Sequence, residues 1–378
     1  IHIKENEPMQ ILGEKILSIK KLALLLILLL PAIATAAPPL YPAVKPNLAL
    51  VFPRDHGAHL QYRTEWWYVT GWLETAEGEP TESKPLGFQV TFFRTRPNID
   101  QANPSQFSPK QLLFAHAAIS DPAQGGLLHD QRGARSGFDL AQASETDTNV
   151  RIDQWTLQRE PTGRYTTHIQ AREFELQLSL QPTQALLLQG DQGYSRKGKN
   201  LSQASYYYSQ PQLAVSGTIT RAGKKITVRG TAWLDHEWST SVLTQEAAGW
   251  DWVGLNLDNG STLMAFRIRD AAGQALWASG TLRDAQGRVR ALSSQHITFT
   301  PTRHWRSPRT ATNYPVAMQV QAGDLQLQLE PLMEDQELDS RLSTGAVYWE
   351  GAVTALQNGQ RVGRGYLELT GYFKPLKF

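Results

Sequence analysis

From Tyr62 onward, apolar and polar residues alternate with a period of two. Phe174, Leu176, Leu178 and Leu180 are separated by Glu175, Gln177 and Ser179, and Leu325, Leu327 and Leu329 by Gln326 and Gln328. A strand turns successive side chains to opposite faces, so this spacing predicts antiparallel sheets with one face on a core and one in water. Turn sequences fall between the runs at Ala222-Gly223, Asp258-Asn259-Gly260, Ala285-Gln286-Gly287 and Gln357-Asn358-Gly359. The chain reads as about twenty strands with no long amphipathic helix. The expected fold class is all-β.

The strands come in the same order twice. Tyr165…Gln170…Leu176-Gln177-Leu178-Ser179-Leu180-Gln181-Pro182 returns as Tyr314…Gln319…Leu325-Gln326-Leu327-Gln328-Leu329-Glu330-Pro331. Phe93-Arg94-Thr95-Arg96 is matched by Phe266-Arg267-Ile268-Arg269, and Trp66-Trp67-Tyr68-Val69 by Trp250-Asp251-Trp252-Val253. Arg229-Gly230…Leu234 is matched by Arg364-Gly365…Leu369. Four matches in one order predict an internal duplication, with one domain over 45–240 and the other over 245–378. Many antiparallel strands must protect their edges, and closure into a barrel does so while leaving room for one small ligand. The expectation is two tandem antiparallel barrels; a pair of packed sandwiches without a cavity is the alternative.

Composition narrows the function classes. Of 378 residues, 41% are hydrophobic and 19% charged, enough apolar material for real cores. Net charge is +2 with acids and bases interspersed, so no basic face for nucleic acid is expected. Lys15, Lys20 and Lys21, the apolar run Leu22 to Leu30, and Ala34-Thr35-Ala36 form a signal-peptide pattern over 1–36, with Met9 as the expected start after upstream translation. The expected location is secreted or periplasmic; an uncleaved anchor is the alternative. The absence of cysteine excludes a cysteine nucleophile and thiolate metal sites.

Matched positions that differ between the halves are candidates for an added site. His116 aligns with Ser279, Asp235-His236-Glu237-Trp238 with Thr370-Gly371-Tyr372-Phe373, and Asp251 with Trp67. Asp251 lies between Trp250 and Trp252, and burial would keep its carboxyl protonated as a proton donor. A structural partnership with Arg267 or Arg269 is the competing role for it. His236 is a candidate acid/base group or a histidine in a turn, and Glu65, before Trp66-Trp67-Tyr68, a second carboxylate or a surface residue. No Gly-x-Ser-x-Gly elbow, P-loop or dinucleotide fingerprint is present, and no cofactor is expected. His56-x-x-His59 is a weak metal pair. His116, Asp235, His236 and Glu237 could combine on a metal, but no ligand spacing specifies it; no metal is assigned.

Tyr62-Arg63-Thr64-Glu65-Trp66-Trp67-Tyr68, Phe114-Ala115-His116-Ala117, Trp233-Leu234-Asp235-His236-Glu237-Trp238-Ser239 and Gly249-Trp250-Asp251-Trp252 resemble the AttH-like group, allied to carotenoid 1,2-hydratase (hydroxyneurosporene synthase). Tyr348-Trp349-Glu350-Gly351-Ala352 and Gly365-Tyr366-Leu367-Glu368-Leu369-Thr370-Gly371-Tyr372 are similar to its closing signature. The resemblance implies two lipocalin-like barrels. In the hydratase branch it implies a His and a Trp two residues apart, landing on His236 and Trp238, and an Asp proton donor best matched by Asp251. A Tyr expected two residues before that Asp is Gly249 here. The reading is therefore a protein that binds a long apolar ligand, isoprenoid or lipid-like, with hydration of a C=C bond as its chemistry. Asp251, His236 and Trp238 are the catalytic candidates, and Glu65, Trp67, Tyr68, His116, Trp250 and Trp252 the ligand-binding ones. A non-catalytic lipid carrier beside an envelope transporter and a metal-dependent hydrolase are the alternatives; oligomeric state is left open.

Overall fold

The computed structural model describes residues 41–76, 85–241 and 243–376. The expected signal peptide lies outside them.

A first antiparallel sheet contains β1 (Thr64–Thr75), β2 (Leu86–Thr95), β3 (Leu112–Ser120), β4 (Leu127–Arg135), β5 (Ala141–Ala143), β6 (Asn149–Ile152), β7 (Trp155–Arg159), β8 (Tyr165–Gln170), β9 (Phe174–Pro182), β10 (Leu187–Leu188), β11 (Tyr194–Arg196), β12 (Ala204–Arg221) and β13 (Lys224–Ser241). A second contains β14 (Gly249–Leu257), β15 (Thr262–Arg269), β16 (Ala275–Arg283), β17 (Val289–Leu292), β18 (Ile297–Arg306), β19 (Asn313–Ala322), β20 (Leu325–Pro331), β21 (Glu337–Ser340), β22 (Ala346–Gln357) and β23 (Gln360–Leu369). The first runs β4-β3-β2-β1-β13-β12-β9-β8-β7-β6-β5 and the second β17-β16-β15-β14-β23-β22-β20-β19-β18. The orders correspond strand for strand from β4/β17 to β7/β18, as a duplication requires. Each sheet curls until its ends meet, β3 and β4 against β6 and β15 and β16 against β18. The fold is all-β, two lipocalin-like barrels in tandem; helix is confined among the described residues to the short 3₁₀ turns Arg54–His56 and Ser294–His296.

Where a strand has one wet face, the alternation holds. Phe174, Leu176, Leu178 and Leu180 are buried while Gln177 and Gln181 are exposed. In β1, β14, β22 and the Ala232–Ser239 part of β13 the burial is nearly continuous. One face of these strands looks into its own barrel and the other packs on the opposite barrel. Val69, Phe92 and Leu234 belong to the first interior, and Val253, Leu367 and Leu369 to the second. A third apolar cluster with Tyr68, Trp72, Trp233, Trp252, Phe266 and Tyr366 fills the space between. The halves approach closely there: a Cβ on Gly87 would sit 2.6 Å from the Ala352 methyl and 2.7 Å from the Tyr366 hydroxyl. Trp72 also donates its indole N–H to the Gly365 carbonyl at 3.0 Å.

Candidate active site

Residues directly opposite in an antiparallel pair point to the same face, with Cβ atoms about 5 Å apart. On the first sheet the register aligns Ser209 (β12), Asp235 (β13), Tyr68 (β1), Thr91 (β2) and His116 (β3) in one row. On the second it aligns Glu350 (β22), Glu368 (β23), Trp252 (β14), Phe266 (β15) and Ser279 (β16). The rows occupy corresponding strands and face each other between the barrels. Asp235 and Glu368 are therefore counterparts, and so are Ser209 and Glu350. This corrects the sequence alignment of Asp235–Trp238 with Thr370–Phe373, which was two residues out: the second half also carries an acid at this place.

Between the rows lies a cavity of about 140 Å³. Trp66, Phe93, Trp250, Trp252, Phe266 and Ile268 supply apolar wall, and Tyr68, Tyr207, Asp235, Glu350, Glu368 and the Lys197–Glu237 pair supply its polar groups. Lys197 Nζ stands 2.7 Å from Glu237 and over the rings of Phe266 and Tyr207, at 4.2 and 4.9 Å from their centroids.

Besides Glu237, which is paired with Lys197, three acids face this chamber and are held in different ways. Asp235 accepts from Tyr207 Oη at 2.8 Å, Ser209 Oγ at 2.5 Å and Trp233 Nε1 at 2.7 Å. Burial nevertheless pushes it up to about 7. Trp252 Nε1 donates to that same Tyr207 hydroxyl at 3.0 Å, so the second barrel helps orient an acid of the first. Glu368 accepts from Trp250 Nε1 at 2.9 Å, and burial, with the charges of Asp235 and Glu237 adding to it, raises it to about 7. It keeps some accessible surface because it looks into the chamber, although protein surrounds it. Glu350 is buried with the Tyr68 and Tyr348 hydroxyls beside its carboxyl; among the described residues neither its Oε1 nor the Tyr68 hydroxyl makes a hydrogen bond of ordinary geometry. Burial and then the facing Glu368 hold Glu350 well above the usual carboxylate range. Two carboxyls opposite each other in an apolar cavity cannot both ionise, so the pair titrates as a unit and retains a proton.

The register that creates this pair depends on a bulge. Gln357 opposes Gln360 at the hairpin turn, and the shift between Ala355 and Leu356 advances the pairing by one residue. Without it, Glu350 would oppose Leu367, whose side chain enters the second barrel. β-Bulges re-aim side chains in this way.

The candidates from the sequence divide among three places. Tyr68, Trp250 and Trp252 line the chamber, and His116 reaches its rim by bonding Tyr348 Oη at 2.7 Å. Glu65, Trp67, His236 and Trp238 lie instead inside the first barrel. There Arg94 Nε donates to Glu65 Oε2 at 2.7 Å, while His59 Nδ1 and His236 Nε2 stand 2.8 and 3.0 Å from Oε1. Burial alone would raise Glu65, but Arg94, His236 and His59 outweigh it and hold it well below the usual range. His236 stacks on Trp67 at 4.6 Å, and His59 on Trp238 at 3.7 Å. Burial lowers His236, against the pull of Glu65. Burial also opposes protonation of His59, yet Asp55 and Glu65 more than offset it and raise it. His59, Glu65 and His236 are the residues able to hold a metal, with ligand atoms within 4.8 Å of one another. In this arrangement Arg94, the His59 amide and both imidazoles already occupy the Glu65 oxygens, and His59 spans Glu65 and Asp55, so the set fits a hydrogen-bonded charge network rather than a metal cage.

Asp251 lies in the second barrel. Alternation along β14 turns Trp250 and Trp252 to the chamber and Asp251 away from it. Its oxygens meet Arg267 Nε at 2.5 Å, Arg269 Nε at 3.1 Å and Tyr372 Oη at 2.9 Å, leaving no face for a ligand. His236 and Asp251, two of the three catalytic candidates from the sequence, thus occupy separate interiors. Glu350 and Glu368 were not among the sequence candidates.

Two fused lipocalin-like barrels that enclose an aromatic, acid-bearing cavity between them define the class. The chain belongs to the AttH-like family, whose model matches residues 43–372. Among solved structures it is similar to an AttH-type protein from Nitrosomonas europaea, at 55% identity and TM-score 0.81, covering 88% of this chain and 100% of that one. It shares its fold with kievitone hydratase from Nectria haematococca, at 15% identity and TM-score 0.64, covering 88% of this chain and 97% of that one. No curated protein sequence matches the chain.

Proposed function

We propose that the protein adds water to a C=C bond of an apolar small molecule, or removes it, by acid–base catalysis in the chamber between the barrels. The observation that carries this reading is Glu350: a buried carboxyl opposite Glu368, walled by aromatic rings, whose Oε1 makes no hydrogen bond of ordinary geometry among the described residues. Protonated Glu350 gives its proton to one alkene carbon, and the π electrons form the new C–H bond. The cationic carbon left behind is stabilised by the faces of Trp66, Trp250, Trp252 and Phe266, through their quadrupoles and the low local dielectric. Glu368 takes a proton from water as its oxygen bonds to that carbon. Dehydration is the reverse. A hydratase fold in a distant structure agrees with this chemistry, and the apolar lining of the cavity supports an apolar substrate.

The test is turnover of a panel of isoprenoid and aryl alkenes in oxygen-18-labelled water. The expected product carries one labelled hydroxyl, and Glu350→Gln lowers its rate by about 10² to 10⁴ while the alkene still binds. Full activity in that variant would remove Glu350 from the chemistry. A co-purified lipid bound without turnover would favour a carrier. Export remains part of the proposal from the 1–36 segment, and fractionation of expressing cells tests it.

A further inference from the structure

His116 is a buried histidine that the proposed acid–base step does not use. It stands in the middle of β3 among Phe114, Ala115 and Ala117, with the Phe93 ring 5.1 Å from its own. Both ring nitrogens meet hydroxyls of the second half: Nδ1 stands 2.7 Å from Tyr348 Oη and Nε2 2.9 Å from Ser343 Oγ. Ser343 belongs to the turn after β21, between exposed Leu342 and Thr344, and retains accessible surface. Tyr348 lines the chamber two residues before Glu350 on the same face of β22, and its hydroxyl neighbours that carboxyl. The matched position in the second half is Ser279, whose hydroxyl turns to the Leu292 carbonyl at 3.4 Å, so the duplicated scaffold does not itself require a histidine here.

We infer that Ser343, His116 and Tyr348 form a proton relay that connects solvent with Glu350. The inference rests on Glu350 being the proposed acid. A neutral imidazole accepts at one nitrogen and donates at the other. In one tautomer the Ser343 hydroxyl donates to Nε2, Nδ1–H donates to Tyr348, and the Tyr348 hydroxyl points to Glu350. When Glu350 has lost its proton to carbon, it takes the Tyr348 proton, Tyr348 takes that of Nδ1, Nε2 takes that of Ser343, and solvent reprotonates Ser343. The ring is then in its other tautomer, in which Ser343 is free to donate to the Ser340 carbonyl at 3.3 Å. Rotation of the hydroxyls and ring resets the chain. The proton that Glu368 took from the attacking water is released to solvent, so one hydration leaves no net charge behind. Burial, with His129 on the neighbouring strand adding to it, lowers His116 to about 3, which keeps the ring neutral and able to pass protons in either direction. The other groups facing this side are Asp339, Arg309, Arg172 and Asp130 around His129, and Glu350 and Glu368 beyond Tyr348.

The test reads proton exchange directly, without substrate. The infrared C=O band of protonated Glu350, assigned by its loss in Glu350→Gln, shifts when the protein is transferred to heavy water. The relay predicts that the shift slows by roughly tenfold or more in Tyr348→Phe, His116→Phe and Ser343→Ala, and that imidazole restores the rate in His116→Ala. Ser343→Ala alters a turn at the surface and keeps the test valid where the core variants fold poorly. Exchange as fast as in the wild type in Ser343→Ala and Tyr348→Phe overturns the relay and leaves the acid in place. Absence of the Glu350 band overturns the acid and the relay together, whereas slowed exchange in a protein that turns over no alkene upholds the relay and sinks the hydration reading.

Discussion

The two rows that face each other across the chamber stand at corresponding places in the duplicated scaffold, and burial raises the central acid of each to about 7, yet they give those acids different neighbours. In the first row Asp235 sits opposite Ser209, which donates to it, and Tyr207 and Trp233 complete its shell. In the second row the place of Ser209 is taken by Glu350, a second carboxyl, which can donate to its neighbour only while it keeps its own proton. One substitution thus separates a satisfied acid from a strained pair. Wherever a hydroxyl is replaced by an acid in a dry cavity, at least one proton is retained.

The largest effect should follow from breaking that pair. Glu350→Gln is expected to cost about 10² or more in turnover, with little loss of thermal stability, because Oε1 makes no hydrogen bond of ordinary geometry and a neutral amide replaces a carboxyl that burial already keeps protonated. Glu350→Ser makes the second row chemically like the first. It should abolish turnover and leave the Glu368 carboxyl near 7, as Asp235 is beside Ser209, read by carboxyl NMR.

Removing a charge from either barrel interior should do the reverse, costing stability before chemistry. Asp251→Asn leaves Arg267 and Arg269 facing a neutral amide, and Arg94→Met leaves Glu65 buried with the histidines alone. Each is expected to destabilise by about 3–5 kcal/mol in denaturant titration. An Asp251→Asn protein of normal stability but no turnover would return the acid role to Asp251.

The same contrast has a pH signature of opposite sign. Asp235, Glu350 and Glu368 have folded values above their unfolded ones, so the native state holds the extra protons. Their stabilising effect is present at low pH; that of Asp235 and Glu368 is lost as pH rises from about 4 through about 7, and that of Glu350 falls in the same direction. The slope is at most about 1.4 kcal/mol per pH unit for each group. Glu65 is depressed, so its contribution is present above the ordinary carboxylate value and is lost as pH falls below it. Asp235→Asn should flatten the neutral slope, and Glu65→Gln should flatten the acid one. The smallest effect is expected from Ser209→Ala, which removes one of three donors and should raise Asp235 a little further.

Much of this arrangement can be read in the chain. Period-two runs gave the strands, and repeated Tyr, Gln and Leu positions gave the corresponding strand orders. Trp250 and Trp252 were legible as one face, and the same alternation already turned Asp251 to the other. The dyad was nearly legible too: Tyr348-x-Glu350 and Tyr366-x-Glu368 flank the Gln357-Asn358-Gly359 turn at similar distances. Counting outward from the turn, however, pairs Glu350 with Leu367, because the bulge at Ala355 leaves no mark in composition. His236 and Glu65 were visible as chemistry but not as location, since a strand buried on both faces does not announce which barrel each face serves. The competition between an acid partnered by Arg267 and Arg269 and one left as a proton donor is likewise decided by which face meets which wall.

Carbon-detected NMR titration of the glutamate carboxyls, with Glu350→Gln and Glu368→Gln as assignments, tests the central claim most directly. The account predicts that one proton stays on the Glu350–Glu368 pair to neutral pH, and that Glu368→Gln lowers Glu350. Two independent titrations in the ordinary carboxylate range would contradict it.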